Sequence, residues 1–223
     1  MALSNTKETA FNALRHRPFE GETDSDLVGR PTPAFDKEAK GFSMPPPNTN
    51  ASKTTVEEMG QIRRLLKDLS DSQIYRIRHE DRPDVETLFV ELLEEYGFTV
   101  TKKVRAELEE LSKQLATIGW HYKNRFRRLR PQAWLKAKGF KTILPPSKTA
   151  NSPSYPSNHA LIGAFLAKYL SEKFPRATPT LEEYGKQVGW NRVRAGWHWA
   201  SDYAMGRQLA EHLWKHFDEK GLK

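Results

Sequence analysis

The amino-acid sequence predicts an all-α protein, folded as a compact helical bundle. Apolar residues recur at helical spacings of three and four over most of the chain from residue 55 onward. No segment shows the clean alternation of apolar and polar residues that marks a half-buried strand. Hydrophobic residues make up 37% of the 223 residues, which is enough for one core of ordinary size.

The first part of the chain differs from the rest. Residues 1–45 carry scattered Pro, Gly, Asp and Lys residues and no sustained periodicity. This composition is typical of a segment that cannot bury enough apolar surface to fold alone. We therefore predict an extended or disordered N-terminal arm over residues 1–45, free to pack on the body, and an all-helical domain over residues 46–223.

The helices of this domain are expected to begin after the proline-rich stretch MPPPNTNASKTT. Thr54 or Thr55 is a candidate N-cap, with Glu57 or Glu58 three residues on to complete a capping box. The first helix should bury one face, formed by Val56, Met59, Ile62, Leu65 and Leu66. The predicted helices cover residues 55–69, 83–97, 100–129, 158–172, 179–195 and 198–217. Pro131 is expected to end the third of them, and the prolines of residues 132–156 indicate loops.

The composition narrows the chemistry. The net charge of +8 and the pI of about 9.6 favour anionic partners such as phosphate esters, nucleic acid or a membrane surface. Cysteine is absent, which excludes disulfides, thiolate metal sites and cysteine nucleophiles. The N-terminus lacks the apolar core of a secretory signal, and no run approaches the roughly 18 apolar residues of a membrane span. We therefore expect a soluble, cytoplasmic protein.

Three short stretches carry candidate chemistry, and the first is KNRFRRLRP. Lys123 and Arg130 are seven residues apart, so on one helix they would share a face, with Arg127 between them and Arg125 and Arg128 pointing elsewhere. Neighbouring cations repel each other, and a phosphate between them would relieve that repulsion while accepting paired hydrogen bonds. The alternative is a solvated basic helix end that complements the helix dipole.

The second stretch, SPSYPSNHALIGAF, changes from loop-forming residues to an apolar helical pattern. Ser157 is a natural N-cap, and the unpaired amides of the first turn form an anion site. His159 would stand beside that site, where an imidazole can donate a proton to a leaving oxygen. The alternative is a simple cap followed by a half-exposed histidine.

The third stretch is NRVRAGWHWASD. His198 and Asp202 are four residues apart, so Asp202 can accept the proton of one ring nitrogen and leave the other nitrogen free as a nucleophile or base. Arg192 would reach the same site only if the chain turned near Gly196. The alternative is an ordinary charge pair on a surface helix. Together, the three stretches supply the parts needed for phosphoryl transfer without a metal.

These stretches resemble the three signature motifs of the type 2 phosphatidic acid phosphatase superfamily. The superfamily pattern is Lys, six residues, Arg-Pro; then Pro-Ser-Gly-His; then Ser-Arg, five residues, His, three residues, Asp. The matching residues here are Lys123, Arg130-Pro131, Pro156-Ser157-Asn158-His159, Asn191-Arg192, His198 and Asp202. The stretches MPPPNT, SYPSNHA and RAGWHWASD look closest to the soluble bacterial class A nonspecific acid phosphatases, and the resemblance runs from about residue 44 to the C-terminus.

The resemblance implies a fold and a set of roles. The fold would be the helical bundle of phosphatidic acid phosphatases and vanadium haloperoxidases. His198 would be the nucleophile, Asp202 would orient it, and His159 would protonate the leaving alcohol and then activate water. The phosphate oxygens would be held by Lys123, Arg130, Arg192, Ser157 and Asn158. No metal or cofactor is implied, and vanadate would act as an inhibitor.

The chain departs from the superfamily pattern at two positions. Asn158 stands where glycine is usual, which suits a positive φ if the site needs one but crowds the phosphate if glycine provided room. Asn191 replaces serine, and its amide could still hydrogen-bond the anion or brace His198.

Other interpretations stay open at this point. A vanadate-dependent haloperoxidase has similar motifs, and a catalytically inactive scaffold is a further alternative. Cations and aromatic residues interleave at residues 121–128, as in a nucleic-acid-binding surface, although that function would leave the other two motifs unexplained. The substrate is expected to be a small phosphorylated molecule, whether a sugar phosphate, a nucleotide, pyrophosphate or a lipid phosphate. The sequence does not decide whether the chain forms a homo-oligomer.

Overall fold

The computed structural model describes residues 2–16, 41–141 and 145–219, and the regular structure in these ranges is helical. The prediction of an all-α fold is therefore confirmed. In chain order the helices are α1 (Ala2–Ala13), α2 (Lys53–Lys67), α3 (Asp71–His79), α4 (Val85–Glu95), α5 (Lys102–Phe126), α6 (Pro131–Ala137), α7 (Asn158–Lys173), α8 (Thr178–Arg194) and α9 (Ala200–Glu219). A short 3₁₀ turn, Pro175–Ala177, joins α7 to α8.

Part of the N-terminal arm is helical, which corrects the expectation of an extended or disordered segment for α1. The contacts that hold the helix to the body include the Phe11 ring, which meets the Trp134 ring edge-on at 5.8 Å, and Asn50 Nδ2, which donates to the Phe11 carbonyl over 2.8 Å. Within residues 6–13 the buried apolar side chain is Phe11, and a single such residue shows no apolar periodicity, so the sequence pattern missed the helix. The rest of the predicted arm, residues 17–40, lies outside the described residues.

Helix α2 begins earlier than expected. Ser52 is the N-cap, and its side chain accepts from the Thr55 amide over 3.1 Å. The predicted capping box of Thr54 or Thr55 with Glu57 or Glu58 is therefore wrong. Val56, which was expected on the buried face of α2, is 50% exposed. The buried face is formed by Met59 and Ile62 together with two polar residues, Thr55 and Glu58.

Helix α3 was not predicted. It is a short helix, with Ile77 as its buried residue. Its start is nevertheless encoded locally, since Ser70 and Gln73 form a reciprocal capping box. The α3 helix matters because the segment that follows it, residues 80–84, reaches the functional site described below.

Helix α5 ends at Phe126, well before Pro131. Arg127 adopts a left-handed conformation with φ of 49°, and its amide closes the helix by bonding the Lys123 carbonyl at 2.8 Å. Pro131 instead occupies the first turn of α6, where its missing N–H costs nothing. The expectation that Lys123, Arg127 and Arg130 lie on one helix face is therefore wrong.

The core surrounds α7, which is buried on nearly all sides and packs against α4, α5, α8 and α9. Helix α9 crosses close to its N-terminus: a side chain on Gly206 would stand 2.5 Å from the Ser157 carbonyl. The Ser157 amide also donates to the Asp202 carbonyl at 3.1 Å. These contacts bring the second and third motifs together. Within the described ranges, no helix combines the length and the apolar character that a membrane span requires.

Candidate active site

The three motifs converge from four helices and the segments that adjoin them. Lys123 comes from the last turn of α5 and Arg130 from the segment that follows it. Ser157 and His159 lie at the start of α7. Arg192 lies in the last turn of α8, His198 lies in the turn that leads into α9, and Asp202 lies in the first turn of α9. The structure brings together the residues that the motifs selected, although the route differs from the predicted single helix face.

His198 is held by both ring nitrogens. Nδ1 lies 3.2 Å from Asp202 Oδ2, and Nε2 lies 3.2 Å from Arg130 Nη1. A guanidinium nitrogen can only donate, so Nε2 carries the lone pair and Nδ1 carries the proton that Asp202 accepts. His198 is 2% exposed and Asp202 is fully buried, so this is not a surface charge pair. Gly196, with φ of 68°, makes the turn that lets Arg192 and His198 share the site.

The Lys123 and Arg130 cations are buried and bonded to backbone carbonyls. Lys123 Nζ donates to the Pro153 carbonyl over 2.7 Å. Arg130 donates to the Ser152 carbonyl over 2.5 Å and to the Trp197 carbonyl over 2.7 Å. Both residues are thus fixed by the chain entering α7 and by the turn before α9. Arg127 takes no part: its Nε donates to the His16 carbonyl over 3.1 Å.

Arg192 is held by other segments than those that hold Lys123 and Arg130. Nη1 donates to Asp81 Oδ1 over 2.9 Å, and Nη2 donates to Thr149 Oγ1 over 2.7 Å. The guanidinium also lies over the Trp197 ring, 4.2 Å from its centre. Its Nε is buried with no hydrogen-bond acceptor among the described residues. Arg192 therefore has a donor to spare inside the site.

The segment between α3 and α4 contacts the site at three consecutive residues. Glu80 Oε2 accepts from Asn191 Nδ2 over 2.7 Å, Asp81 binds Arg192, and the Arg82 carbonyl lies 3.1 Å from His159 Nε2. Asn191 therefore braces Glu80, and among its described hydrogen bonds the expected contact with His198 is not found. No motif marks this segment in the sequence, which is why sequence reasoning missed it.

The start of α7 forms as predicted, except for Asn158. Ser157 is the N-cap and accepts from the Ala160 amide at 3.4 Å. His159 is buried, not half-exposed, and because a carbonyl only accepts, its Nε2 carries a proton toward Arg82.

Asn158 differs from both expectations. It is the first helical residue of α7, and its φ is not positive, since Arg127 alone has a positive φ among the non-glycine residues of the described ranges. Its side chain neither faces solvent nor crowds an anion but lies against α5, where Nδ2 bonds the Ala116 carbonyl at 3.4 Å. Gly119 leaves the room for it: a side chain there would stand 2.0 Å from Asn158 Oδ1.

Burial and mutual repulsion shift the pKa values of the site. Burial, reinforced by Arg130 and Lys123, lowers the pKa of His198 well below 6.5. Burial and Arg192 do the same for the pKa of His159. Burial and the nearby Arg192 lower the pKa of Arg130 to about 9, and burial and Arg130 lower the pKa of Lys123. The cations destabilise one another, so an anion bound among them would be strongly favoured.

Arg128 was expected to point away, yet it is 4% exposed and binds Asp202 Oδ1 over 2.6 Å and Glu58 Oε2 over 3.0 Å. Tyr122 is buried as well. The interleaved cations and aromatic residues of this stretch therefore do not form an exposed nucleic-acid surface. Among the residues that the structure describes, no group of three or more His, Asp or Glu side chains is placed to hold a metal ion.

The fold and the site define a class of protein. Over 96% of this chain, the structure resembles a bacterial vanadium-dependent iodoperoxidase, with a TM-score of 0.57, 16% identity and 56% of that chain covered. It also resembles a transmembrane PAP2-type phosphatidylglycerolphosphate phosphatase from Bacillus subtilis, with a TM-score of 0.52, 17% identity, and 83% of this chain and 92% of that chain covered. The fold is thus the one shared by PAP2-type phosphatases and vanadium haloperoxidases.

Sequence comparisons find relatives of the same class. Residues 111–217 match the PAP2 superfamily model, a range that includes all three motifs. It is 28% identical over 136 residues to a non-specific acid phosphatase of Providencia stuartii, covering 61% of this chain and 47% of that protein. It is 32% identical over 120 residues to a non-specific acid phosphatase of Salmonella typhimurium, covering 51% and 47%. The chain spans about half the length of the curated relatives it matches.

Proposed function

We propose that this protein is a phosphatase that hydrolyses phosphomonoesters through a phosphohistidine on His198, without a metal. The match to the PAP2 superfamily model and the acid phosphatase relatives support the class of enzyme. The observation that carries the proposal is the set of three buried cations, Lys123, Arg130 and Arg192, whose charges act together on His198. Such a cluster is costly unless an anion neutralises it, and the free Arg192 Nε is a donor available to that anion.

In the proposed complex the phosphate lies between His198 and the start of α7. The oxygens are bound by Lys123, Arg130, Arg192, the Ser157 hydroxyl and the Asn158 backbone amide. The amide contributes because the first turn of a helix has unpaired N–H groups and a partial positive charge. The Asn158 side chain takes no part, since it lies against α5.

The chemistry then needs two transfers. His198 Nε2 attacks phosphorus, and as the N–P bond forms, the bond from phosphorus to the ester oxygen breaks. His159 gives its proton to that oxygen, so the alcohol leaves neutral. His159 next takes a proton from water, the water oxygen bonds to phosphorus, and the N–P bond breaks to release phosphate. The cations stabilise the charge on the transferring group throughout, which is the task a metal performs elsewhere.

The protonation state of His159 follows from the bound anion. In the free protein, burial and Arg192 lower the pKa of His159, so it is neutral near pH 7. A bound phosphate neutralises Arg192 and places negative charge beside the ring, which favours the protonated form. Substrate binding thus prepares the general acid.

The test is a phosphatase assay over a panel of monoesters and pyrophosphate, with EDTA present. We expect activity that survives EDTA and is inhibited by vanadate, a mimic of the transition state. His198→Ala should form no phosphoenzyme. His159→Ala should still be phosphorylated by nitrophenyl phosphate, a substrate with a good leaving group, and then stall. His121→Ala, an exposed histidine on α5, is the matched control and should behave as the wild type.

Two results would overturn the proposal. One is loss of activity on chelation with recovery on adding zinc or magnesium. The other is a phosphoenzyme trapped on the His198→Ala protein.

The fold also leaves a second candidate, a vanadate-dependent haloperoxidase. Vanadate has the shape and charge of the phosphoryl transition state, so the residues that would bind phosphate would also hold vanadate. The likeness to the iodoperoxidase is one of fold alone. Bromide oxidation by the vanadate-loaded protein with peroxide, in place of ester hydrolysis, would favour this candidate.

A further inference from the structure

Arg128 forms the centre of a buried network that none of the three motifs includes. Its Nη1 donates to Asp202 Oδ1 over 2.6 Å and to Ser201 Oγ over 2.8 Å, and its Nη2 donates to Glu58 Oε2 over 3.0 Å. The guanidinium lies 5.1 Å from the centre of the Trp199 ring. Arg128 lies in the short segment between α5 and α6. Because its partners lie on α2 and α9, its side chain links three parts of the chain that are remote in sequence.

Asp202 divides its two oxygens between this network and the catalytic histidine. Oδ1 binds Arg128, whereas Oδ2 accepts from the Trp199 amide over 2.9 Å and from His198 Nδ1 over 3.2 Å. The carboxylate is fully buried, so a cation close by offsets the cost of its burial. Arg128 is that cation, and it also fixes which oxygen faces His198.

Glu58 anchors the outer end of the network. Its Oε1 accepts from the Ser201 amide over 2.6 Å at the start of α9, while Oε2 binds Arg128. The chain Glu58, Arg128, Asp202, His198 therefore runs from α2 to Nδ1 of the histidine, and each link is made by buried polar atoms.

We propose that Arg128 is a positioning residue for the phosphoryl transfer, holding Asp202 in place with Oδ2 aimed at His198 Nδ1. This inference rests on the proposed function. When His198 Nε2 bonds to phosphorus, positive charge develops on the ring while the Nδ1 proton stays hydrogen-bonded to Asp202. Arg128 draws the Asp202 charge toward Oδ1, so this proton remains on the ring and the nucleophilic tautomer is kept.

The network also affects the pH dependence. The charged or titratable groups around His198 come from every element packed on it: Lys123 from α5, Arg130, His159 from α7, Arg192 from α8 and Asp202 from α9. Arg128 adds a positive charge behind Asp202. Removing that positive charge makes protonation of His198 easier, so the acid limb of kcat/KM should move to higher pH.

The experiment compares Arg128→Gln, Arg128→Lys and the control Arg125→Gln, an exposed arginine one turn earlier. For Arg128→Gln we expect kcat to fall by about 100-fold, the scale of a misplaced reacting group, and the acid limb to rise by about one pH unit. Arg128→Lys keeps the positive charge but cannot hold Glu58 and Asp202 together. The acid limb of its kcat/KM profile should therefore match that of the wild type, while its kcat stays low. Arg125→Gln should match the wild type.

A second readout separates positioning from structure. The ¹⁵N chemical shifts of His198 should show the Nδ1-protonated tautomer in the wild type and a mixture in Arg128→Gln, whether or not the protein hydrolyses esters. If the wild type lacks phosphatase activity but these shifts behave as expected, the proposed function fails and the positional role of Arg128 stands.

Folding of the variants is a separate concern. Arg128→Gln leaves Glu58 without its cation, so Glu58→Gln/Arg128→Gln serves as the backup variant. Folded variants that keep the wild-type acid limb, kcat and His198 tautomer would overturn the inference, and so would Arg128→Lys at full kcat.

Discussion

The contact between Gly119 and Asn158 leads to a double-mutant prediction. A side-chain carbon on Gly119 would stand 2.0 Å from Asn158 Oδ1 and 2.8 Å from Asn158 Cγ, far inside contact distance. In Gly119→Ala the carboxamide must therefore leave its place on α5. Replacing a mid-helix glycine by alanine would otherwise stabilise α5 by about 1 kcal/mol. Overpacking typically costs about 1–3 kcal/mol, so the net effect in the wild type should be neutral or destabilising.

The sign should change once the carboxamide is gone. In the Asn158→Gly background nothing obstructs the new methyl group, so Gly119→Ala should stabilise by about 1 kcal/mol. Asn158→Gly alone should cost about 1 kcal/mol, because it adds unfolded-state entropy and leaves a void beside Gly119. The coupling between the two positions should therefore be about 1 kcal/mol or more, in favour of the wild type and the double variant over the two single variants.

Urea unfolding of the four proteins measures this coupling directly. An equal effect of Gly119→Ala in both backgrounds, within about 0.5 kcal/mol, would refute the packing argument. The same proteins also test whether Asn158 affects catalysis. Because the side chain contacts α5, we expect Asn158→Gly to leave KM for a small monoester unchanged, and a weakened KM would mean that the carboxamide reaches the substrate.

Two further predictions follow from the pKa shifts of the histidines. Phosphate binding should be accompanied by proton uptake near pH 6–7, because the bound anion raises the lowered pKa values of His159 and His198. Calorimetry in buffers of different ionisation enthalpy would detect this uptake. Equal binding heats in all buffers would contradict the prediction. The contribution of the two histidines to the stability of the free protein should be complete above the unfolded histidine pKa of about 6.5. It should fall as the pH drops toward the lowered folded pKa values, because the unfolded state then binds more protons. Urea unfolding should show a loss of at most about 1.4 kcal/mol per pH unit for each histidine, and a smaller loss in His159→Gln.

The sequence predicted the local contacts of the motif residues better than the helices that carry them. Ser157 as N-cap and the contact of His198 with Asp202 depend on spacings within one turn, where local geometry determines which atoms meet. The route from Lys123 to Arg130 spans seven residues, and a helix was the simplest assumption for it. The helix instead ends just before Arg127, which is left-handed. Glycine is the usual residue at such a position, so an arginine there gives no sequence signal that the helix ends.

Helices with few buried residues were the ones that the sequence missed. Periodicity reports an apolar face, and the described side chains of α1 and α3 include one buried large apolar residue each, Phe11 and Ile77. For α3 the Ser70–Gln73 capping box was a usable signal. Asn158 went wrong for a different reason: its environment is set by Gly119 on another helix, and a single sequence does not tell which residues face each other across a helix pair.

The same limit explains why the cations were predicted and their partners were not. The proposed phosphoryl chemistry would require Lys123, Arg130 and Arg192 at fixed spacings, and the motifs contain them at those spacings. The groups that make their burial tolerable only need to reach the right place, and they do so from unrelated segments: Asp81 from the α3–α4 connection for Arg192, and the Pro153 carbonyl for Lys123. A buried charge must be compensated somewhere, so cations in a motif imply hidden partners even where the sequence does not name them. Arg128 is the opposite case. It is a buried cation at a position that the motif pattern leaves open, and it balances the charge of a motif carboxylate, Asp202.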